Sequence, residues 1–290
     1  MTHVEPFTFR PGTCPLLISM PHAGTHVPPS LAARFTAEAR QVPDTDWHLE
    51  RLHADAAEAL GASVLIGTHS RYVIDLNRPP DDASLYPGQN VTGLCPVDTF
   101  DETPIYAAGD VPGTAEIAAR REAIWVPYHR QLAAEIERLR ALHGSVVLWE
   151  AHSIRSVVPR FFDGTLPDLN FGTANGASCD PALARTLLQI AREAEPAGAY
   201  TAVLNGRFKG GYNTRQYGAP ARGVHAVQLE MTQRCYMQEA WPFTYLPEVA
   251  AKVQPTLRRL LEAASSPHAV RPPGAAPAPT SARTPPASPV

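Results

Sequence analysis

Residues 148–156 read LWEAHSIRS, with Glu150, His152 and Arg155 directly behind an apolar run. Polar groups of this kind are costly to bury unless something satisfies them. Two other apolar runs finish the same way: ISMPHAG ends near His22, and HAVQLE ends at Glu230. Asp46 opens the helical segment that follows the first run. Two neutral imidazoles and a carboxylate form a donor set suited to Zn²⁺, with a position left for water. A single histidine at a strand end is ordinarily a hydrogen-bonded structural group, and it is the coincidence of several such ends that points to a metal. Glu150 and His152 alternate with Ala151, so both face one side of a strand. Glu150 then either orients a ligating imidazole or pairs with an arginine.

Positioning these residues requires strands whose ends lie together. CPLLISMPHAG reads as a buried strand broken by Pro21 and Gly24. DTDWHLERLHADAAEALGA carries apolar residues at helical spacing, with Asp44 or Thr45 as cap and Gly61 as stop. SVLIGTHSRYVIDLN, rich in β-branched residues, predicts two strands or one long bent strand. Residues 79–112 are dense in turn formers and predict a functional loop or lid. The strongest helical pattern spans 114–143, with Pro127 implying a kink or a start and Gly144 a stop. SVVLWEAHS follows as a central strand covered on both faces. A helix near 181–195, the strand YTAVLNGRF, the glycine-rich KGGYNTRQYGAPARG, the strand VHAVQLEMT and a helix near 246–264 complete the series. Alternating strands and helices predict an α/β fold: one three-layer domain, a mixed and mostly parallel sheet with helices on both faces. Residues 1–264 are expected to form this domain. The Pro/Ala/Ser-rich stretch 265–290 is expected to be a disordered tail.

Bulk properties exclude several classes. With 290 residues, 44% of them hydrophobic, the chain can bury a sizeable core. A formal charge of −3 without a basic block argues against nucleic acid as a partner. Four cysteines, none in a CxxC pair, argue against a disulfide scaffold or a cysteine-based zinc site. No secretory h-region and no bilayer-length apolar run is visible, so a soluble cytoplasmic protein acting on a small molecule is expected. Oligomeric state is not legible.

The segments PLLISMPHAGTHVP, DTDWHLERL, SRYVIDLNRPP, EAHSIRS, GGYNTRQYG and VQLEMTQRCYM, in this order, resemble the N-formylglutamate amidohydrolases of histidine degradation, from about Pro15 to about Ala264. That family is distantly similar to zinc carboxypeptidases and aspartoacylases. The resemblance implies a zinc-carboxypeptidase-like fold, one divalent zinc ion, and hydrolysis of N-formyl-L-glutamate to formate and L-glutamate. It implies His152 as a metal ligand, Asn77 and Arg78 as a grip on a substrate carboxylate, and Glu230 as general base. The HxxE pattern of the carboxypeptidases is missing here. His22 is followed by Ala23-Gly24-Thr25, so the carboxylate ligand must come from elsewhere, from Asp46 with Asp44 as its rival.

On this basis His22, Asp46 and His152 are the expected ligands, and Glu230 moves the proton. Arg71, seven positions before Arg78, is placed to meet a developing oxyanion. The substrate's two carboxylates call for more than one cation. Arg78 with Asn77 suits one, and Arg155, Arg207 or Arg215 the other. Tyr212 faces the substrate or the core. His26, His48, His53 and His129 read as surface or structural groups, with His48 and His53 on an exposed-looking helix.

Overall fold

The computed structural model describes residues 4–84, 91–194 and 199–266. Among the described residues seven strands form one sheet: β1 (Phe7–Arg10), β2 (Leu16–Met20), β3 (Ser63–Gly67), β4 (Val146–Ile154), β5 (Leu169–Gly172), β6 (Ala202–Leu204) and β7 (Val224–Thr232). Their spatial order is β1-β3-β2-β4-β7-β5-β6. The pairs β3–β2, β2–β4, β4–β7 and β5–β6 are parallel, while β1–β3 and β7–β5 are antiparallel. The sheet is therefore mixed and mostly parallel, as expected. Every residue of β2, β4 and β7 is buried, which is why these segments read as continuous apolar runs rather than alternating ones.

The helices are α1 (Pro29–Ala32), α2 (Leu49–Leu60), α3 (Thr114–Arg120), α4 (Val126–His143), α5 (Pro181–Arg192), α6 (Tyr212–Tyr217) and α7 (Pro247–Ser265). On one sheet face, Leu49 and Leu52 of α2, Leu183 and Leu187 of α5, and Leu257 and Leu261 of α7 pack against Ile18, Trp149 and Val227. On the other, Tyr128, Leu132 and Ile136 of α4 pack against Leu17, Leu148 and Ala226. Three layers result, with the carboxyl ends of β2, β4 and β7 adjacent at one edge. Sites in parallel α/β sheets form at such edges.

Helix α2 begins at Leu49, not at an Asp44 or Thr45 cap, and it ends at Gly61 in the left-handed conformation (φ 66°) that glycine tolerates. His53 on this helix is buried, because α2 packs against both the sheet and the neighbouring α7. The long helical pattern contains a π-helical turn, Arg121–Trp125, just before Pro127; the wider turn accommodates a residue without an amide hydrogen. Beyond Gly67 the chain leaves the sheet, so residues 68–77 form turns rather than a second strand or a bent extension. Tyr72, Val73, Ile74 and Leu76 are buried there against α4, which gives this loop the apolar composition of a strand. The short strands β1 and β5 carry no signal in the sequence reading. Within 79–112 only isolated bridges occur among the described residues, and 85–90 lie outside them. Of the expected tail, Ser265 ends α7, and residues 267–290 lie outside the described residues.

Candidate active site and metal centre

His22 follows β2 after one proline, and its carbonyl accepts the Asp46 amide at 3.0 Å, which ties the turn before α2 to the strand end. His152 and Glu230 are direct partners in the β4–β7 register. Three remote segments thus converge. One Oδ2 atom of Asp46 lies 3.0 Å from His152 Nδ1 and 3.7 Å from His22 Nδ1. Ligand atoms of His22, Asp46 and His152 all fall within 4.8 Å of one another, and all three residues are buried. Asp46, not Asp44, is the carboxylate at this point: Asp44 Oδ2 accepts Tyr72 Oη at 2.5 Å and the Phe100 amide at 2.8 Å. Burial holds the Asp44 carboxyl up at about 6.

Each imidazole is fixed through its other nitrogen. His22 Nε2 meets Asp75 Oδ1 at 2.6 Å, and Asp75 Oδ2 accepts from Arg71 Nη2 at 3.0 Å. His152 Nε2 lies 3.0 Å from Asn77 Nδ2 and 3.6 Å from Glu150 Oε2. Outer partners of this kind set ring orientation and basicity in metal sites. Burial and the Arg71 guanidinium push His22 down to about 4, leaving it neutral. Burial opposes charge on His152, yet its hydrogen bonds to Asp46 and Glu150, and their charge with that of Glu230, raise it to about 10. The potential that holds a proton there equally favours a cation. Two buried imidazoles and one carboxylate, oriented from outside, fit a divalent ion such as zinc.

Glu230 stands beside this cluster in a cavity of about 630 Å³ that includes space open to solvent, with Arg71, Arg78, Phe161 and Arg207 also in its lining. Burial and the negative Asp46 raise the Glu230 carboxyl to about 7, against the opposing pull of His152, Arg71 and Gln228. A carboxylate so poised can take and return a proton near neutrality.

The model of the N-formylglutamate amidohydrolase family matches residues 14–237. The chain belongs to this family. It is 52% identical over 258 residues to the N-formylglutamate deformylase of Pseudomonas aeruginosa, covering 89% of this chain and 95% of that one. Against the N-formylglutamate deformylase of Pseudomonas putida it is 51% identical over 256 residues, covering 88% and 94%. The crystal structure of N-formylglutamate amidohydrolase from Ralstonia eutropha JMP134 superposes with a TM-score of 0.77 at 27% identity, covering 92% of this chain and 98% of that one. As a member of the family, the protein is a hydrolase acting on an amide. No helix among the described residues is long and apolar enough to cross a membrane.

Within this amidohydrolase the remaining sequence candidates divide. Arg71 lines the cavity with its guanidinium over the Phe100 ring, 4.9 Å from the centroid, and 3.9 Å from Asp46 Oδ1. Arg78 lines it with Nε and Nη2 held by Thr92. Asn77 also lines it, but its amide is engaged inward at both ends, by His152 and by the Asn213 N–H. That placement directs the Asn77 side chain to the His152 imidazole and to the start of α6. Arg207, one of three alternatives for the second carboxylate, is in the lining; Arg155 and Arg215 are not. Arg155 pairs with Asp101 at 2.8 Å, and Arg215 Nε donates to the Gly210 carbonyl at 2.9 Å. Tyr212 packs against Trp125 and His129 outside the lining. Glu150 meets an imidazole and Asn213, not an arginine. His53 and His129 are buried structural groups.

Three residues escaped the sequence reading. Asp75 sits in the DLNR segment, but a strand reading gave it no role. Gln228 lies two positions before Glu230, on the same strand face. Asn213 sits in GGYN. None has the distinctive spacing of a ligand, and only their placement shows what they hold.

Proposed function

We propose that this amidohydrolase hydrolyses N-formyl-L-glutamate to formate and L-glutamate, the last step of a histidine degradation route, with one zinc ion held by His22, Asp46 and His152. The names borne by the Pseudomonas relatives support the substrate. The observation that carries the chemistry is the convergence of His22, Asp46 and His152 next to a buried Glu230 that ionises at about 7.

A divalent cation at these three groups supplies Lewis acidity toward water and toward the formyl oxygen. Glu230 accepts the proton lost by the attacking water and delivers it to the leaving nitrogen as the carbon–nitrogen bond breaks. Hydrogen and hydroxyl of one water molecule are thereby divided between the amine of glutamate and formic acid. Arg71, fixed by Asp75 and stacked on Phe100, offers positive charge to the oxyanion that develops during attack. Arg78 and Arg207 supply cations in the same cavity for the two carboxylates of the substrate.

The deciding experiment measures metal content of the purified protein together with formate and amine release from N-formyl-L-glutamate, N-acetyl-L-glutamate and N-formyl-L-leucine. Stoichiometric zinc, loss of activity on chelation and preference for the formylated dicarboxylate are expected. Faster release from the acetyl compound would instead identify a deacylase of different acyl specificity. Full turnover after exhaustive chelation would overturn the metal assignment.

A further inference from the structure

The glycine-rich segment Gly210–Asn213 lies outside the ligands and the base, yet it reaches both. Gly211 N–H donates to Gln228 Oε1 at 2.8 Å, and Gln228 Nε2 donates to Glu230 Oε2 at 3.1 Å. Two residues on, Asn213 N–H donates to Asn77 Oδ1 at 2.9 Å, which directs Asn77 Nδ2 to within 3.0 Å of His152 Nε2. The Asn213 side chain adds a bond to Glu150 Oε2 at 3.2 Å, the oxygen that faces His152 Nε2 at 3.6 Å. Backbone N–H groups only donate, so each fixes which end of its amide partner is the oxygen. One turn of chain thus determines the orientation of two buried amides, one aimed at the base and one at a ligand imidazole. Gly211 is required for the close approach: a Cβ there would sit closer than 3.0 Å to the Asn77 amide, which is pinned at both ends.

We infer that the Gly211–Asn213 turn is a two-armed positioning device. Its base arm, through Gln228, presents Glu230 with Oε2 engaged and the carboxylate plane fixed. Its ligand arm, through Glu150 with the Asn77 amide beside it, holds the His152 ring. If Nδ1 binds the cation, Nε2 carries the proton and no longer accepts from Asn77 Nδ2, and the group at hand to accept that proton is the Glu150 carboxylate that Asn213 holds in place. The inference rests on the metal-dependent reading above, and it makes Gln228 and Asn213 positioning residues whose loss affects different quantities.

The test compares Gln228→Leu, Gln228→Glu and Asn213→Ala in the full chain, reading kcat and KM on N-formyl-L-glutamate, zinc affinity by chelator competition, and the denaturant midpoint. Gln228→Glu preserves size and the acceptor for Gly211 N–H while replacing the neutral amide donor toward Glu230 with a second carboxyl that must share a proton with it, so Glu230 is no longer presented alone as a free acceptor. It therefore tests the base arm even if the leucine variant fails to fold. Both Gln228 variants should lower kcat at least about tenfold, with KM and zinc affinity within about twofold of the parent. Asn213→Ala should weaken zinc binding about 10- to 100-fold, the range for lost outer partners of metal ligands, with zinc-saturated kcat within about threefold. Parental kcat in Gln228→Glu, or parental zinc affinity in Asn213→Ala, would overturn the inference. So would kcat, zinc affinity and midpoint falling together in all variants. If the parent protein bound zinc but did not cleave N-formyl-L-glutamate, the substrate reading would fail while the zinc titration of Asn213→Ala still decided the ligand arm.

Discussion

Replacing Glu230 with glutamine removes a proton acceptor and changes little else. The amide has the same size, and its carbonyl can keep the bond now made by Gln228 Nε2 at 3.1 Å. The β4–β7 register that sets residue 230 opposite His152 involves only backbone. Glu230 is not among the three convergent ligand groups, so zinc should be retained, with its affinity lowered only by the loss of one neighbouring charge. A positioned general acid–base contributes about 10²- to 10⁴-fold, or about 3–5 kcal/mol of barrier at roughly 1.4 kcal/mol per tenfold. Because the same carboxylate takes the proton and returns it, kcat should fall toward the upper part of that range while KM stays within a few-fold. Stability moves the other way. Burial raises the Glu230 carboxyl from 4.5 to about 7, so the unfolded chain ionises first as pH rises. The parent then loses stability between about pH 4.5 and 7 that the neutral variant keeps. Formate release, zinc content and urea midpoints at pH 5 and 8 test both halves. A zinc-loaded Glu230→Gln protein with more than a tenth of parental turnover would refute the assignment of the base, whatever its stability.

Asp75→Asn removes the charge facing both His22 Nε2 and the buried Arg71; zinc affinity should drop about 10- to 100-fold, and chelator competition showing parental affinity would contradict the role given to Asp75. Arg207→Ala should raise KM for N-formyl-L-glutamate by roughly tenfold or more, as expected for a lost charged hydrogen bond of about 1.5–3 kcal/mol, with a smaller effect on N-formyl-L-leucine; equal effects on both substrates would remove Arg207 from carboxylate recognition. His53 donates Nδ1–H to the Leu49 carbonyl at 2.8 Å, leaving Nε2 buried, and burial pushes it down to about 4. Its neutral form therefore contributes stability that is lost as pH falls from about 6.5 toward 4, at roughly 1.4 kcal/mol per pH unit. A His53→Gln variant should show that much less acid sensitivity in denaturant titrations, and identical pH slopes would refute it.

The parts of the site on β2, β4 and β7 were legible because a buried parallel strand has a simple signature. A continuous apolar run that stops at a polar residue marks both the strand and its functional end, which is how His22, His152 and Glu230 stand out. Loop 68–77 was not legible for the same reason inverted. Tyr72, Val73, Ile74 and Leu76 are buried under α4, so a non-repetitive segment acquires the β-branched, apolar composition of a strand. Apolar composition reports burial, and only periodicity over several turns separates helix, strand and buried loop. His53 reads as exposed because a single amphipathic stripe does not reveal that α2 packs against both the sheet and α7.

That misread loop explains why the site can be built at all. Arg71, Asp75 and Asn77 lie within seven positions, and each touches one of the two clustered imidazoles. In a strand, Arg71, Asp75 and Asn77 would share one face at a spacing of about 6–7 Å per two residues, in a line that could not wrap two rings. Turns let Asp75 Oδ1 accept the Asn77 amide at 2.8 Å while still meeting His22, so a single carboxylate organises both halves of the loop. The strands therefore bring the reactive groups together, and the loop 71–77 on one side and the start of α6 at Gly211–Asn213 on the other decide which atoms those groups present. Residue type alone carries little of that second layer of information, because a buried aspartate, glutamine or asparagine has many possible partners until the backbone amides around it are placed.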